Sequence, residues 1–228
     1  LTHRGASGAE HAPPRARVRA LARPLLAGLV VLGLLAAFAA LAGRVVAGDT
    51  DAFDLAAIEA ARALRATHPS FARAMTDASA LGSTTVLTIV VVLAVGYLVL
   101  SGHRRLAGVV AVSAIGGAML VTVLKSAIGR LRPDSRLAEA VVDGLSFPSG
   151  HAAMSAAISL TLGALIVGAR ARRREQAWVL GGAAAIAALV GASRVALGVH
   201  WPTDVLGGWA FGAAWAIVWL RVARTAIG

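Results

Sequence analysis

The 228-residue chain contains no cysteine, which excludes disulfides and thiolate metal sites. Charge is scarce as well. Only 14% of the residues are charged and 58% are hydrophobic, whereas a soluble domain carries about a quarter charged residues. With a mean hydropathy of +0.76, this places the chain among membrane proteins. Acidic residues number 11 against 22 basic ones, a formal net charge of +11. A surplus of that size would suit nucleic acid, but no basic stripe with interleaved aromatics is present, so no nucleic-acid partner is expected. The segments KSAIGRLRP, PSGH and SRVALGVHWPTD hold one acidic residue, Asp204, and not the cluster that a hard cation requires.

What the sequence does hold is a series of long apolar runs. They fall at roughly 24–43, 80–100, 106–124, 152–169, 177–193 and 203–220, each near the ~20 residues that cross a hydrocarbon core. The predicted class is therefore all-α, a polytopic membrane bundle of six transmembrane helices. The run at 177–193 is rich in Ala and Gly and gains length only if Ser193 and Arg194 belong to its end. The first run is long enough to span and is expected to do so rather than to act as a cleaved signal. Residues 1–23, rich in Arg, Ala, Gly and Pro, are expected to form a flexible basic cytoplasmic tail before a single membrane domain at 24–228. With the N-terminus inside, the inner segments carry 13 of the 22 basic residues and two of the 11 acidic ones, which leaves nine of each outside. The whole surplus thus lies on one side, as the positive-inside rule requires. The expectation is a multi-pass cell-membrane protein with both termini cytoplasmic, its basic face also meeting anionic membrane lipids.

The first outer segment, 44–79, is too long for a turn. A helix is predicted over Asp51–Ala66, opened by Thr50 or Asp51, then a break at His68-Pro69 and a second short helix from Pro69 to about Ser79. Phe53, Ala57, Ala60 and Leu64 form one apolar stripe, with Leu55 and Ile58 towards the charged face. Two readings stand: an interfacial lid over a site opening, or a surface excursion without a role. Trp178, Trp201 and Trp219 fall near span boundaries and are expected to be anchors. Gly208 and Gly212 form a GxxxG pattern that close helix packing explains.

Polar islands interrupt this pattern, all on the predicted outer side. In SRVALGVHWPTD, Ser193 to Asp204, His200 and Asp204 are four apart and Pro202 suits the first turn of a helix. His200 would then sit just outside that helix, with Asp204 reaching back to fix its tautomer and orientation. A polar loop capping two helices is the alternative. In KSAIGRLRP, Lys125 and Arg132 can share a helical face before Pro133 stops the helix, or the pair can be two cations snorkelling to the interface. In FPSGH, Ser149 caps a helix, Gly150 lets a ligand approach the backbone, and the free N–H groups are ready for an anion. His151 in the first turn titrates near neutral pH.

Taken together, the islands suit a phosphate dianion. Lys125, Arg132 and Arg194 would neutralise it while loop N–H groups bind its oxygens. His200 has the means to attack phosphorus and His151 to protonate the leaving oxygen. Arginines can supply the charge that a metal would otherwise supply, and no third or fourth zinc ligand is offered, so neither metal nor other cofactor is expected.

These residues resemble a known family. KSAIGRLRP, PSGH and SRVALGVHWPTD look like the signature motifs of the type 2 phosphatidic acid phosphatase superfamily, with Lys, six residues and Arg-Pro, then Pro-Ser-Gly-His, then Ser-Arg, five residues, His, three residues and Asp. The resemblance implies that His200 is a nucleophile forming a phosphohistidine, that Asp204 orients it, and that His151 is the general acid. It implies that Lys125, Arg132, Ser149, Gly150 and Arg194 bind the phosphoryl group. The family's soluble haloperoxidases are larger, so the six apolar runs favour a lipid phosphatase. The expected substrate is a lipid phosphate or pyrophosphate at the extracytoplasmic face, with polyprenyl pyrophosphate, phosphatidylglycerol phosphate and phosphatidate as rivals. The readings from other classes are a lipid transporter or flippase and a catalytically silent lipid-binding protein.

Overall fold

Short polar, proline and glycine punctuation divides the apolar runs into helices, and the helices carry the site at one end. The computed structural model describes residues 14–140, 142–168 and 172–227. The described residues form α1 (Pro14–Ala47), α2 (Asp51–Thr67), α3 (Pro69–Ala80), α4 (Thr84–Leu100), α5 (Arg104–Ile128), α6 (Gly150–Val167), α7 (Arg173–Ala196) and α8 (Pro202–Ile227). Among the described residues six stretches are long and apolar enough to cross a membrane: Pro24–Ala47, Pro69–Leu100, Arg104–Ile128, Gly150–Val167, Arg173–Ala196 and Pro202–Thr225. The all-helical, multi-pass class read from hydropathy is the class observed. Ser193 and Arg194 do extend the fifth span. Helix α1 already begins at Pro14, within the segment read as a tail; residues 1–13 of that segment lie outside the described residues.

Helix α6 packs on α7 and α8, and α8 packs in turn on α1. The GxxxG pattern sets the closest of these approaches. A side chain at Gly208 would meet Ser149 O at 2.7 Å, and one at Gly212 would collide with the backbone of Ala153. Glycine therefore lets the start of α8 lie flush against the start of α6. There the Ser149 N–H donates to Asp204 O at 2.9 Å, so backbone contact alone joins two of the polar islands. An aromatic column supports the same loop: the Phe38 and Phe147 rings lie 5.5 Å apart, Phe38 and Phe211 6.2 Å, and Phe211 stacks on Trp215 at 5.7 Å.

Two sequence expectations are corrected here. Helix α5 does not run to Pro133: Gly129, with φ 70°, ends it in the left-handed conformation that glycine adopts without penalty. Lys125 is thus helical while Arg132 lies in a non-helical segment, and the two do not share a helical face. The second correction concerns α2, which faces inward with Asp54, Ile58 and Arg65, all buried, while Phe53 is 59% exposed. The predicted stripe is on the outer side, where Phe53, Ala60 and Leu64 border an apolar groove with Phe71, Leu206 and Trp209. Polar bonding decided the orientation: Arg65 donates to Ala196 O and to Leu137 O, and Asp54 reaches the start of α8.

Candidate active site

The site is assembled from the end of α5 and the chain after it, the loop into α6, and the turn from α7 to α8. His200 occupies that turn, one residue clear of α8, and is 1% exposed. Its Nδ1 lies 3.3 Å from Asp204 Oδ2 and 3.2 Å from Ser146 Oγ. Its Nε2 lies 2.9 Å from Arg132 NH1. Because a guanidinium only donates, Nε2 is the acceptor and the ring proton is on Nδ1. Burial holds the imidazole far below its usual range, to about 3, against the opposing pull of Asp204. His200 is therefore neutral at physiological pH, with a lone pair on Nε2.

Asp204 is fully buried and bonded on both oxygens. Oδ2 accepts from Ser146 Oγ and from the Trp201 N–H at 2.9 Å, and Oδ1 accepts from Arg130 NH1 at 2.9 Å. Three donors besides His200 hold the carboxylate in one orientation, the condition for fixing the imidazole.

The three expected phosphate-binding cations lie around this core. Arg132 donates from Nε to Gly144 O at 3.1 Å and from NH1 to Val199 O at 2.8 Å, which ties KSAIGRLRP to SRVALGVHWPTD. Burial lowers its proton affinity, against the opposing charge of Asp204. Lys125 donates to Leu145 O at 2.6 Å and Ser146 O at 3.0 Å. Arg194 donates from NH1 to Ser79 Oγ at 2.7 Å, but its buried Nε has no hydrogen-bond partner among the described residues. An unmet guanidinium donor of this kind costs ~1–3 kcal/mol or more. A bound anion oxygen would remove that cost.

Ser149 is the N-cap of α6 and accepts from the Ala152 N–H. Gly150 and His151 open the helix, and a side chain at Gly150 would come only within 3.8 Å of Val121, so packing does not require glycine there. Both residues border a groove of about 880 Å³ between α4, α5 and α6. Lys125 lies at the same polar end, and Leu87, Val91, Val95, Ala114, Ala118 and Met154 supply apolar walls. Among the described residues no group of three or more His, Asp or Glu side chains converges as a metal site would.

The candidate catalytic and phosphate-binding residues are thus all at this end of the bundle, but sequence reasoning missed part of the set. Ser146 and Arg130 lie inside or beside the islands, yet no spacing rule marked them as partners of Asp204. Trp201, expected to be an anchor, donates to Leu131 O at 3.0 Å and lies 5.3 Å under the Arg130 guanidinium.

Comparison with known proteins adds to this picture. The sequence model of the PAP2 superfamily matches residues 105–227, the stretch containing all three islands. Phosphatidylglycerophosphatase B of Bacillus subtilis is 40% identical over 98 residues, 41% of this chain and 46% of that protein. Undecaprenyl-diphosphatase of Sulfolobus acidocaldarius is 32% identical over 121 residues, 51% of this chain and 54% of that protein. The chain spans about half the length of the curated relatives it matches. The crystal structure of a transmembrane PAP2-type phosphatidylglycerolphosphate phosphatase from Bacillus subtilis superposes with a TM-score of 0.78 at 28% identity, covering 86% of this chain and 96% of that one.

Proposed function

Since the chain belongs to the PAP2 superfamily, we propose that it is an integral membrane phosphohydrolase that cleaves a lipid phosphate or pyrophosphate through a phosphohistidine. The catalytic unit is residues 24–228, with 1–23 as a basic cytoplasmic segment. The observation that carries the lipid assignment is the groove, which joins Lys125, Gly150 and His151 at one end to apolar walls along α4 and α5. A phosphorylated headgroup at the polar end leaves its chains along those walls, so the lipid need not leave the bilayer.

The reaction follows from the residues. Arg132 moves from His200 Nε2 to a phosphoryl oxygen, which frees the lone pair for in-line attack on phosphorus. The N–P bond forms as the P–O bond breaks, and Asp204 stabilises the positive charge that develops on the ring. Lys125, Arg132 and the unmet Nε of Arg194 hold the equatorial oxygens, with N–H groups from the start of α6 beside Ser149 and Gly150. His151 gives its proton to the leaving oxygen, then takes one from the water that cleaves the N–P bond. Inorganic phosphate leaves and His200 is restored. Charge stabilisation comes from arginine and lysine, so no metal is required.

The test is phosphate release in detergent with a chelator present, from phosphatidylglycerol phosphate, polyprenyl pyrophosphate, phosphatidate and the water-soluble p-nitrophenyl phosphate. Activity that needs added magnesium would refute the chemistry. Ala118, on the groove wall, is two helical turns below Lys125. Ala118→Trp is expected to raise KM for the long-chain lipids by about tenfold through lost chain packing, with the soluble ester unchanged. Equal effects on both would remove the groove as the chain site.

The catalytic end is proposed to face outward, because Arg104, Arg105, Arg173, Arg174, Arg221 and Arg224 lie towards the opposite ends of their helices. The chain has no cysteine of its own, so Ser135→Cys gives a single reporter beside the site. An impermeant maleimide should label it in intact cells. Labelling only after lysis would reverse the orientation.

A further inference from the structure

Asp54 and Asp204 come from distant parts of the chain, and Arg130 joins them. Both carboxylates are fully buried, and the Arg130 side chain is 11% exposed. One arm of the guanidinium donates to Asp204 Oδ1 at 2.9 Å and to Thr203 Oγ1 at 2.7 Å. The other donates to Asp54 Oδ2 at 2.6 Å and to Thr50 Oγ1 at 3.3 Å. Asp54 does more than balance charge. Its Oδ1 accepts the Thr203 N–H at 3.0 Å and its Oδ2 accepts the Thr203 hydroxyl at 2.6 Å. The Thr203 N–H belongs to the first turn of α8, where backbone donors have no partner within the helix. Helix α2 thus caps α8 from outside, one residue before Asp204.

Burying two carboxylates and a guanidinium is an expensive way to hold helices together, since apolar packing does the same more cheaply. The cluster does what packing cannot: it fixes which oxygen of Asp204 faces His200. With Oδ1 held by Arg130, Oδ2 alone is left for the Nδ1–H of the ring. We propose that Asp54 and Arg130 are positioning residues of the phosphoryl-transfer site, through which α2 sets the rotamer of Asp204 and hence the aim of His200. Helix α2 is then a buttress and not a lid. The inference rests on the phosphatase reading above.

The experiment uses the full chain in detergent, with p-nitrophenyl phosphate and phosphatidate as substrates and thermal unfolding as the folding control. Arg130→Gln and Asp54→Asn are expected to lower kcat by about 10- to 100-fold with KM within about threefold of wild type, because orienting partners act on chemistry and the phosphate ligands are untouched. The double variant should be no worse than Arg130→Gln, as expected of two groups acting as one unit. Arg130→Lys keeps the charge and loses the fork, so it should not rescue kcat. Thr203→Val preserves shape and removes only the bridging hydroxyl; a loss of about three- to tenfold in kcat is expected, and this variant decides the matter if the charged ones do not fold. Wild-type kcat in Thr203→Val or in Arg130→Lys, or additive losses in the double variant, would overturn the proposal while the phosphatase reading stands. A wild-type protein that releases phosphate from neither of these substrates, nor from phosphatidylglycerol phosphate or polyprenyl pyrophosphate, would overturn that reading and this inference with it.

Discussion

His200→Ala is expected to lower kcat by about 10⁴-fold or more, with KM for the lipid unchanged or lower. That factor corresponds to about 5.4 kcal/mol of lost transition-state stabilisation. A loss of this size singles out a nucleophile, because removing one charge-stabilising donor costs about 10²- to 10³-fold. The surrounding bonds argue that the variant keeps its shape. Asp204 retains Ser146, the Trp201 N–H and Arg130, and Arg132 retains Val199 O. Freed from Nε2, Arg132 is also more available to the phosphoryl group, which is why binding should not weaken. A second readout separates covalent from direct hydrolysis. Wild-type protein quenched in alkali during turnover of a radiolabelled substrate should carry acid-labile, base-stable label, and His200→Ala should carry none. A variant that keeps more than about one per cent of wild-type kcat would mean that water attacks phosphorus directly and His200 serves another role.

The candidate site residues were legible because each sits in a short polar island at the end of an apolar run, where hydropathy makes it conspicuous. Lys125, Ser149, Gly150, His151, Arg194, His200 and Asp204 could be named without a structure for that reason. Arg132 was legible by type, while its geometry was not: Gly129 ends α5 early, and a single glycine gives no local sign that it will turn left-handed there. The first-loop helices were legible as helices, because Pro69 and the acidic first turn of α2 mark their starts. Their facing was not. An amphipathic pattern identifies the apolar side and assumes that it turns inward, but α2 turns inward through Asp54 and Arg65. The bonds responsible join residues 149 positions apart, Asp54 to Thr203, and 76 apart, Arg130 to Asp54. No period in the sequence reports contacts of that range, so the support for Asp204 emerges only from tertiary structure.

His151→Ala should discriminate among substrates by their leaving groups. His151 borders the groove at its polar end, whereas His200 lies buried against Arg132. In the proposed mechanism phosphorus is held between them, with the nucleophile on one side and the proton donor on the other, as an in-line displacement needs. For phosphatidate the departing group is an alkoxide, which cannot leave at neutral pH without a proton, so kcat should fall by about 10²- to 10⁴-fold. A polyprenyl pyrophosphate expels a phosphate monoester and p-nitrophenyl phosphate a stabilised phenolate, and neither needs much help; losses in the first step should be closer to about tenfold. The second step still requires a base, because water must lose a proton to attack the phosphohistidine. With p-nitrophenyl phosphate the variant should therefore accumulate phosphoenzyme and release a burst of nitrophenol stoichiometric with protein, followed by slow turnover. Stopped-flow absorbance measures the burst, and kcat/KM, which reports the first step, gives the substrate ranking. Equal losses with all three substrates and no burst would make His151 a phosphate ligand like Lys125 and return the proton transfers to solvent.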